Sequence, residues 1–190
     1  MKKYELTTEC KEFLGRKLYR IKALTSFSDV KKGDLGGWIA KEENLSQEGN
    51  AWVCDNATVF DNARVCGNAT VCGNATVCGN ATVCDNARVC GNARVFGNAT
   101  VCGNAEIKKK THLLEIGFIG SRDDVTTFFR TKDKGIFVKC GCFKGDIDDF
   151  EKKVQKVHGD DKHGRVYALA IAMAREQIEL DDEDVEEEDD

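Results

Sequence analysis

The sequence predicts a mainly β protein: a single-stranded parallel β-helix of six-residue rungs with an N-terminal β-hairpin cap and a small C-terminal α+β domain. Three observations carry this. Val53, Val59, Val65, Val71, Val77, Val83, Val89, Val95 and Val101 recur every six residues, and Ile107 continues them. An alanine stands two positions before each, from Ala51 to Ala105. Asn precedes every one of these alanines, and Gly or Asp precedes every Asn. The unit is therefore Gly/Asp-Asn-Ala-Thr/Arg-Val-Cys/Phe. Four segments follow: a capping hairpin at 1–34, the β-helix at 35–110, an α+β domain at 111–180 and an acidic tail at 181–190.

In Ala-Thr-Val-Cys the side chains alternate, so Ala and Val share one side while Thr and Cys take the other. Gly-Asn or Asp-Asn turns the chain, because these residues tolerate positive φ. Short strands with two-residue corners coil, three rungs making an 18-residue turn whose neighbours hydrogen-bond about 4.8 Å apart. Apolar spacings of two and four with Gly in most units suit no α-helix. A weaker continuation upstream puts Leu35 on the Val position, Ile39 and Leu45 on the Ala position and Asn44 on the Asn position, giving about twelve rungs.

At the N-terminal end Tyr4–Thr8 and Lys17–Leu24 read as two strands around Gly15 that cap the open first turn. After Lys110 the repeat stops, and Leu113–Ile119, Val125–Arg130 and Ile136–Lys139 read as strands. Ile147, Phe150, Val154 and Val157 mark one apolar face of a helix with Asp146 as N-cap and Gly159 as its stop. Val166, Leu169, Ala170, Met173 and Ile178 mark another helix over Val166–Leu180.

The net charge of −5 is unevenly spread. Residues 181–190 carry nine acids, which leaves 28 basic against 24 acidic residues elsewhere. Such a block has nothing to bury and reads as a solvated tail. A body so weakly basic, with an acidic tail opposing it, argues against nucleic-acid binding. No stretch approaches the roughly 20 apolar residues of a membrane span. Met1–Glu5 has no apolar run behind its lysines, so the expected compartment is a reducing cytoplasm in which the ten cysteines stay thiols.

Stacking residues 18 apart sorts the outward side chains into columns. Trp52, Thr70, Arg88 and Glu106 lie beside Cys54, Cys72, Cys90 and Lys108. Arg64, Thr82 and Thr100 lie beside Cys66, Cys84 and Cys102. Thr58, Thr76 and Arg94 lie beside Phe60, Cys78 and Phe96. That last stripe is apolar and is expected to be covered, by the N-terminal segment or, as the preferred reading, by a second subunit in a dimer or trimer. The cysteine columns are open to disulfides, to a soft-metal thiolate ladder with nothing to complete its tetrahedron, or to simple surface filling, the reading preferred here. A threonine ladder for ice is interrupted by Arg64, Arg88 and Arg94.

Two groups beyond the repeat carry chemistry. Ser121, Arg122, Thr126, Thr127, Arg130 and Lys132 collect hydroxyls and cations suited to a phosphate or other anion. Cys140-x-Cys142 with His158 and His163 has the elements of a zinc site, but C-x-C is a less usual spacing than C-x-x-C, and no metal is expected there. A Cys140–His158 nucleophilic pair lacks an orienting third group.

The repeat resembles the hexapeptide-repeat, left-handed β-helix family over Leu35 to Lys108. Left-handed coiling is implied by that resemblance. So is acyltransferase activity, in trimers that place a histidine between neighbouring solenoids. Here His112, His158 and His163 all lie outside the rungs, and a general base is missing from the family's place for it. The G-N-A-R-V units, the lead-in Gly33–Ile39 and the segments Ile119–Arg122 and Cys140–Phe143 are also similar to phage and prophage repeat proteins. The expectation is thus a non-enzymatic, cofactor-free accessory protein of phage type. It would neutralise a host protein or a nucleotide-type ligand of a bacterial defence pathway. A ligand-free assembly scaffold and an acyltransferase stand as alternatives.

Overall fold

The computed structural model describes residues 2–181, so the acidic-tail expectation falls, apart from Asp181, outside the described residues. Three elements open the chain: β1 (Tyr4–Phe13), β2 (Arg16–Ala23) and β3 (Leu35–Ile39). Ten two-residue strands then recur every six residues: β4 (Trp52–Val53), β5 (Thr58–Val59), β6 (Arg64–Val65), β7 (Thr70–Val71), β8 (Thr76–Val77), β9 (Thr82–Val83), β10 (Arg88–Val89), β11 (Arg94–Val95), β12 (Thr100–Val101) and β13 (Glu106–Ile107). They stack in parallel into three ladders, one of them β4-β7-β10-β13 and another β3-β5-β8-β11. The register is 18 residues throughout the repeat, Val53 over Val71 and Val59 over Val77. Amides at the start of each strand reach the carbonyl of the coil below, as Trp52 N does Ala69 O and Thr70 N does Ala87 O, both at 2.9 Å. The alanines and valines of the rungs are buried and form the interior.

At each corner the residue before Asn takes positive φ. Asp55, Asp61 and Asp85 do so in place of glycine, and each carboxylate accepts from the glycine amide one coil below, Gly73, Gly79 and Gly103, at 2.9, 3.4 and 3.1 Å. The asparagines form their own ladders, Asn50 to Asn68 and Asn62 to Asn80 among them, at 3.1 and 3.2 Å. The corners are also crowded. A Cβ on Gly67 (φ +68) would lie 2.9 Å from Asp85 N, whereas one on Gly103 (φ +64) meets nothing. Gly103→Ala is therefore expected to cost only the left-handed penalty of about 1–2 kcal/mol. Gly67→Ala should cost clearly more, and equal urea midpoints for the two variants would refute this account.

The upstream register departs from the simple continuation of the repeat. Ile39 pairs over Val59 and Leu45 over Val65, spacings of 20 rather than 18. Ile39 and Leu45 thus occupy Val positions, not Ala positions, and Leu35 is exposed at the edge of β3. Two extra residues are absorbed in the turn before Ala51. Asn44 is buried and bonds the carbonyls of Asp61 and Ala63 at 3.2 and 2.8 Å, which holds the irregular first coil on the second.

The hairpin extends one ladder, β2 pairing antiparallel with β3 and β1 lying outside it. Tyr4 plugs the open end, its hydroxyl donating to Leu45 O at 2.7 Å, while Lys3 Nζ donates to Ala51 O at 2.8 Å. Burial pushes the Lys3 ammonium down to about 8.

The C-terminal unit is an antiparallel meander of β14 (Leu113–Ile119), β15 (Asp124–Arg130), β16 (Ile136–Cys140) and β17 (Phe143–Asp146), followed by α1 (Ile147–His158) and α2 (Lys162–Gln177). Its central strand is buried on both faces. Phe128 joins the helix-side core with Phe150 and Ile171, and Phe129 joins the solenoid's core with Leu113. The domain thereby closes the lower end of its own solenoid, with Lys132 N on Asn104 O at 3.0 Å. Asp146 and Asp161 cap the two helices, accepting from Asp149 N and Gly164 N. The buried face of α2 is Tyr167, Ala170, Ile171 and Ala174, so Leu169 and Met173, expected in the core, are exposed. Val157 of α1 is exposed as well. No helix of the described residues is long and apolar enough to cross a membrane.

Candidate functional site

Two open grooves flank the solenoid. The upper one, about 690 Å³, has Lys41 and Arg64 against Glu42, Glu43 and Glu48, and no aromatic lining. Its acids outnumber its bases, and Lys2 already pairs with Glu42 at 2.6 Å. The lower groove, about 630 Å³, lies where β11 meets β14 of the docked domain. Arg94, Phe96 and Asn98 come from the solenoid, and Lys110, Glu115 and Phe118 from the segment that follows it. Phe96 is 54% exposed and Phe118 71%, the kind of aromatic exposure that a ligand covers. Glu115 is the only carboxylate among the described lining residues, and its Oε1 accepts from Asn98 N at 3.0 Å. Two cations beside two open aromatic rings suit an anion with an apolar or ring-bearing body.

The apolar stripe is divided between fates. Phe60 is buried under the chain's own hairpin, with Phe13 edge-on at 6.0 Å and Leu18 and Trp38 in the same cluster. Cys78 packs against that cluster, and Phe96 alone stays open. The covering segment for Phe60 and Cys78 is thus β1-β2 rather than a second subunit.

The hydroxyl and cation group of the meander is spread along β15 instead of converging. Ser121 and Arg122 are exposed at one end and Lys132 at the other, about 20 Å away along a strand of this length. Thr126, Thr127 and Arg130 between them are buried. Thr126 Oγ1 donates to Cys140 Sγ at 3.2 Å, Thr127 Oγ1 accepts from Thr100 N at 3.2 Å, and Arg130 pairs with Glu106 at 2.8 Å. Of the possible zinc elements, Cys140 bonds Thr126 and lies 3.5 Å from the Tyr167 hydroxyl, while Cys142 is exposed. His158 and His163 sit with ring centroids 5.7 Å apart, and His158 faces Asp161 at 3.4 Å. Among the described residues, these cysteines and histidines do not bring three ligand atoms together.

His112, which lies in sequence between the groove residues Lys110 and Leu113, is fully buried and accepts from Lys108 N at 3.2 Å through Nδ1. Burial, then the positive charge of Arg130, pushes its pKa down, which keeps the imidazole neutral. It is a floor of the last coil rather than a solvent-facing base.

The cysteine columns are built as the 18-residue stacking requires, and the Cys54 thiol donates to Val71 O of the coil below at 3.6 Å. The neighbouring Cys84 thiol lowers the pKa of Cys102, opposed by burial and helped by Lys139 and Lys144. Cys102 itself is covered by the docked domain. The corner residue Asp55 joins the first column: its carboxylate and the Cys54 and Cys72 sulfurs all lie within 4.8 Å of one another. Sequence reasoning took the columns alone and passed over that aspartate.

Fold and columns define a parallel β-solenoid with capped ends, and the comparisons refine its class. The family described as the YdcK beta solenoid repeat matches residues 51–67, 63–79 and 87–103. A curated protein of Escherichia coli (strain K12), named "Uncharacterized acetyltransferase YdcK", is 43% identical over 63 residues, which covers 29% of this chain. The match spans only 19% of that relative's length. The solenoid is therefore related to the YdcK repeat, and the likeness is not to phage-type motifs in particular. This overturns the expectation of a non-enzymatic, phage-type accessory protein in favour of the acyltransferase alternative. The missing histidine argued against an enzyme only if the base had to stand on a rung. A groove walled by a second domain removes that condition.

Proposed function

We propose that the chain is an acyltransferase using a coenzyme A thioester, and that the lower groove receives this donor. The class is carried by one observation, the 43% identity over 63 residues to a protein named as an acetyltransferase. The position is supported by chemistry. Arg94 and Lys110 offer charge to the donor's phosphates, Phe96 and Phe118 offer rings to its adenine and apolar arm, and the matched stretch 87–103 carries both Arg94 and Phe96. An acceptor hydroxyl or amine attacks the thioester carbonyl, the C–S bond breaks, and coenzyme A leaves as the thiol. Glu115 is the groove's carboxylate; it takes the acceptor's proton and returns it to the departing thiolate.

Calorimetric titration with acetyl-CoA tests this. Saturable binding is expected, weakened at least about tenfold by Arg94→Glu or Phe96→Ala, in keeping with the loss of about 1.4 kcal/mol or more from a charge-assisted or aromatic contact. Glu115→Gln should keep binding, because the amide oxygen still accepts from Asn98, while transfer slows. No heat with acetyl-CoA, or equal affinity in wild type and Arg94→Glu, would remove the groove from consideration.

A further inference from the structure

We propose that Cys54, Asp55 and Cys72 form a binding site for a thiophilic divalent metal ion, with zinc as the best-fitting ion. The site lies on the ladder β4-β7-β10-β13, in a position independent of the lower groove. Cys54 ends one rung, Cys72 ends the rung directly below, and Asp55 turns the corner after the first. Their three ligand atoms are mutually within 4.8 Å, and among the described residues no other group of three meets that spacing.

Coil spacing makes this distance a property of the fold. In-register cysteines on adjacent parallel rungs are held about 4.8 Å apart at the backbone. Two thiolates on one tetrahedral zinc, each at about 2.3 Å, stand roughly 3.8 Å apart, so modest side-chain rotation closes the pair on an ion between the coils. The carboxylate is already aimed there. Asp55 Oδ2 accepts from Gly73 N at 2.9 Å, which fixes the side chain across the same step and leaves its other oxygen for the ion. Glycine fills most of the equivalent corners, as at Gly67, Gly73 and Gly79, so the carboxylate is not needed to make the turn.

Donor chemistry selects the ion. Two sulfurs among three donors disfavour magnesium and calcium, and a single carboxylate with two thiolates is within zinc's range. Three protein donors leave the fourth position of a tetrahedron to water. On binding, each thiol gives its proton to solvent, and two S–Zn bonds form with no change of oxidation state.

The chain contains its own control. Cys84, Asp85 and Cys102 repeat the same spacing in sequence, yet Cys102 is buried beneath the docked domain and the three ligand atoms do not converge as the first set does. The Asp61 corner follows Phe60 and has no first thiol.

Reduced full-length protein should be titrated anaerobically with Co(II), whose thiolate ligation produces a near-ultraviolet charge-transfer band, and then competed with Zn(II). One equivalent per chain is expected. Cys54→Ser and Cys72→Ser should abolish the band, and Asp55→Gly, a residue the corner accepts, should weaken binding at least about tenfold. Cys84→Ser and Cys140→Ser should leave it unchanged. As a readout free of any variant, Zn(II) should shield Cys54 and Cys72 of the wild-type protein from alkylation, but not Cys10 or Cys84. The proposal is overturned by absence of the band in the reduced folded protein, by its survival in Cys54→Ser and Cys72→Ser, or by shielding confined to other cysteines.

Discussion

Val77→Asp is expected to abolish the cooperative fold of the solenoid. Val77 is fully buried in β8, the strand below β5 and above β11, with Val59 and Val95 stacked on either side. The interior at that level is alanine and valine, so a carboxylate there has no partner and no route to water. The cost is about 4–5 kcal/mol or more, comparable with the whole stability of a typical domain of about 5–15 kcal/mol. Val77→Ala removes only two methyl groups and should cost about 2 kcal/mol. Position adds a second effect. In a solenoid each coil rests on its neighbours, so a break in the middle separates the upper coils, held by the hairpin, from the lower coils, held by the C-terminal domain. Urea unfolding of Val77→Asp should lose its single steep transition, with a smaller slope than Val77→Ala. A single transition with an unshifted midpoint would contradict this picture of the core.

What the repeat predicted and what it could not share one physical cause. Within 51–107 each residue's environment depends on neighbours 18 positions away in an unbroken series, so period and side-chain alternation define the structure locally. Where two residues enter the turn before Ala51, that series carries no mark of them, and Ile39 and Leu45 slide to positions two residues from those a strict period assigns. The stripe of Phe60, Cys78 and Phe96 was visible as needing a cover, but the hairpin's length and reach decide which members it covers, and those are tertiary facts. In the C-terminal unit, β15 shows no alternation between core and solvent because helices cover one face and the solenoid the other. This is also why Thr126, Thr127 and Arg130, polar in sequence, lie inside.

The candidate sites follow the same division. Arg94 and Phe96 could be placed on one face from spacing alone, but Lys110, Glu115 and Phe118 face them only because the domain docks there. The sequence pattern behind the Cys54-Asp55 and Cys72 grouping occurs twice, again at Cys84-Asp85 and Cys102, and only the structure shows that the first set alone converges. An aspartate replaces the corner glycine directly after a cysteine whose partner follows 18 residues later. The signal lay in reading the corner and the column together.

Arg130→Ala is expected to release the C-terminal domain from the solenoid at a cost of about 3 kcal/mol. The Arg130 side chain is 1% exposed, and its guanidinium joins Glu106 of the last rung at 2.8 Å and the Leu180 carbonyl at 3.1 Å. It therefore connects three parts of the chain: β15, β13 and the segment after α2. Removing it leaves Glu106, whose side chain is 18% exposed, paired with Lys108 at 3.5 Å. Hydrogen exchange should show protection lost in β14, β15 and α2 while the coils between β5 and β9 keep theirs. Acid should reproduce part of the effect. Burial raises the Glu106 carboxyl's pKa, but the hydrogen bond from Arg130 and the charge of Lys108 outweigh it and hold it below its usual value of 4.5. As pH falls below 4.5 the unfolded chain takes up this proton first, so the pair's contribution, complete above that value, is lost as pH drops through the lower folded one. Glu106→Gln and Arg130→Ala should both flatten the acid limb of the stability profile. An Arg130→Ala protein with wild-type midpoint and an unchanged acid limb would show that the contact between domain and solenoid is carried by Phe129 and Leu113 and by the hydrogen bonds of Glu115, Thr127 and Lys132 to the last coil.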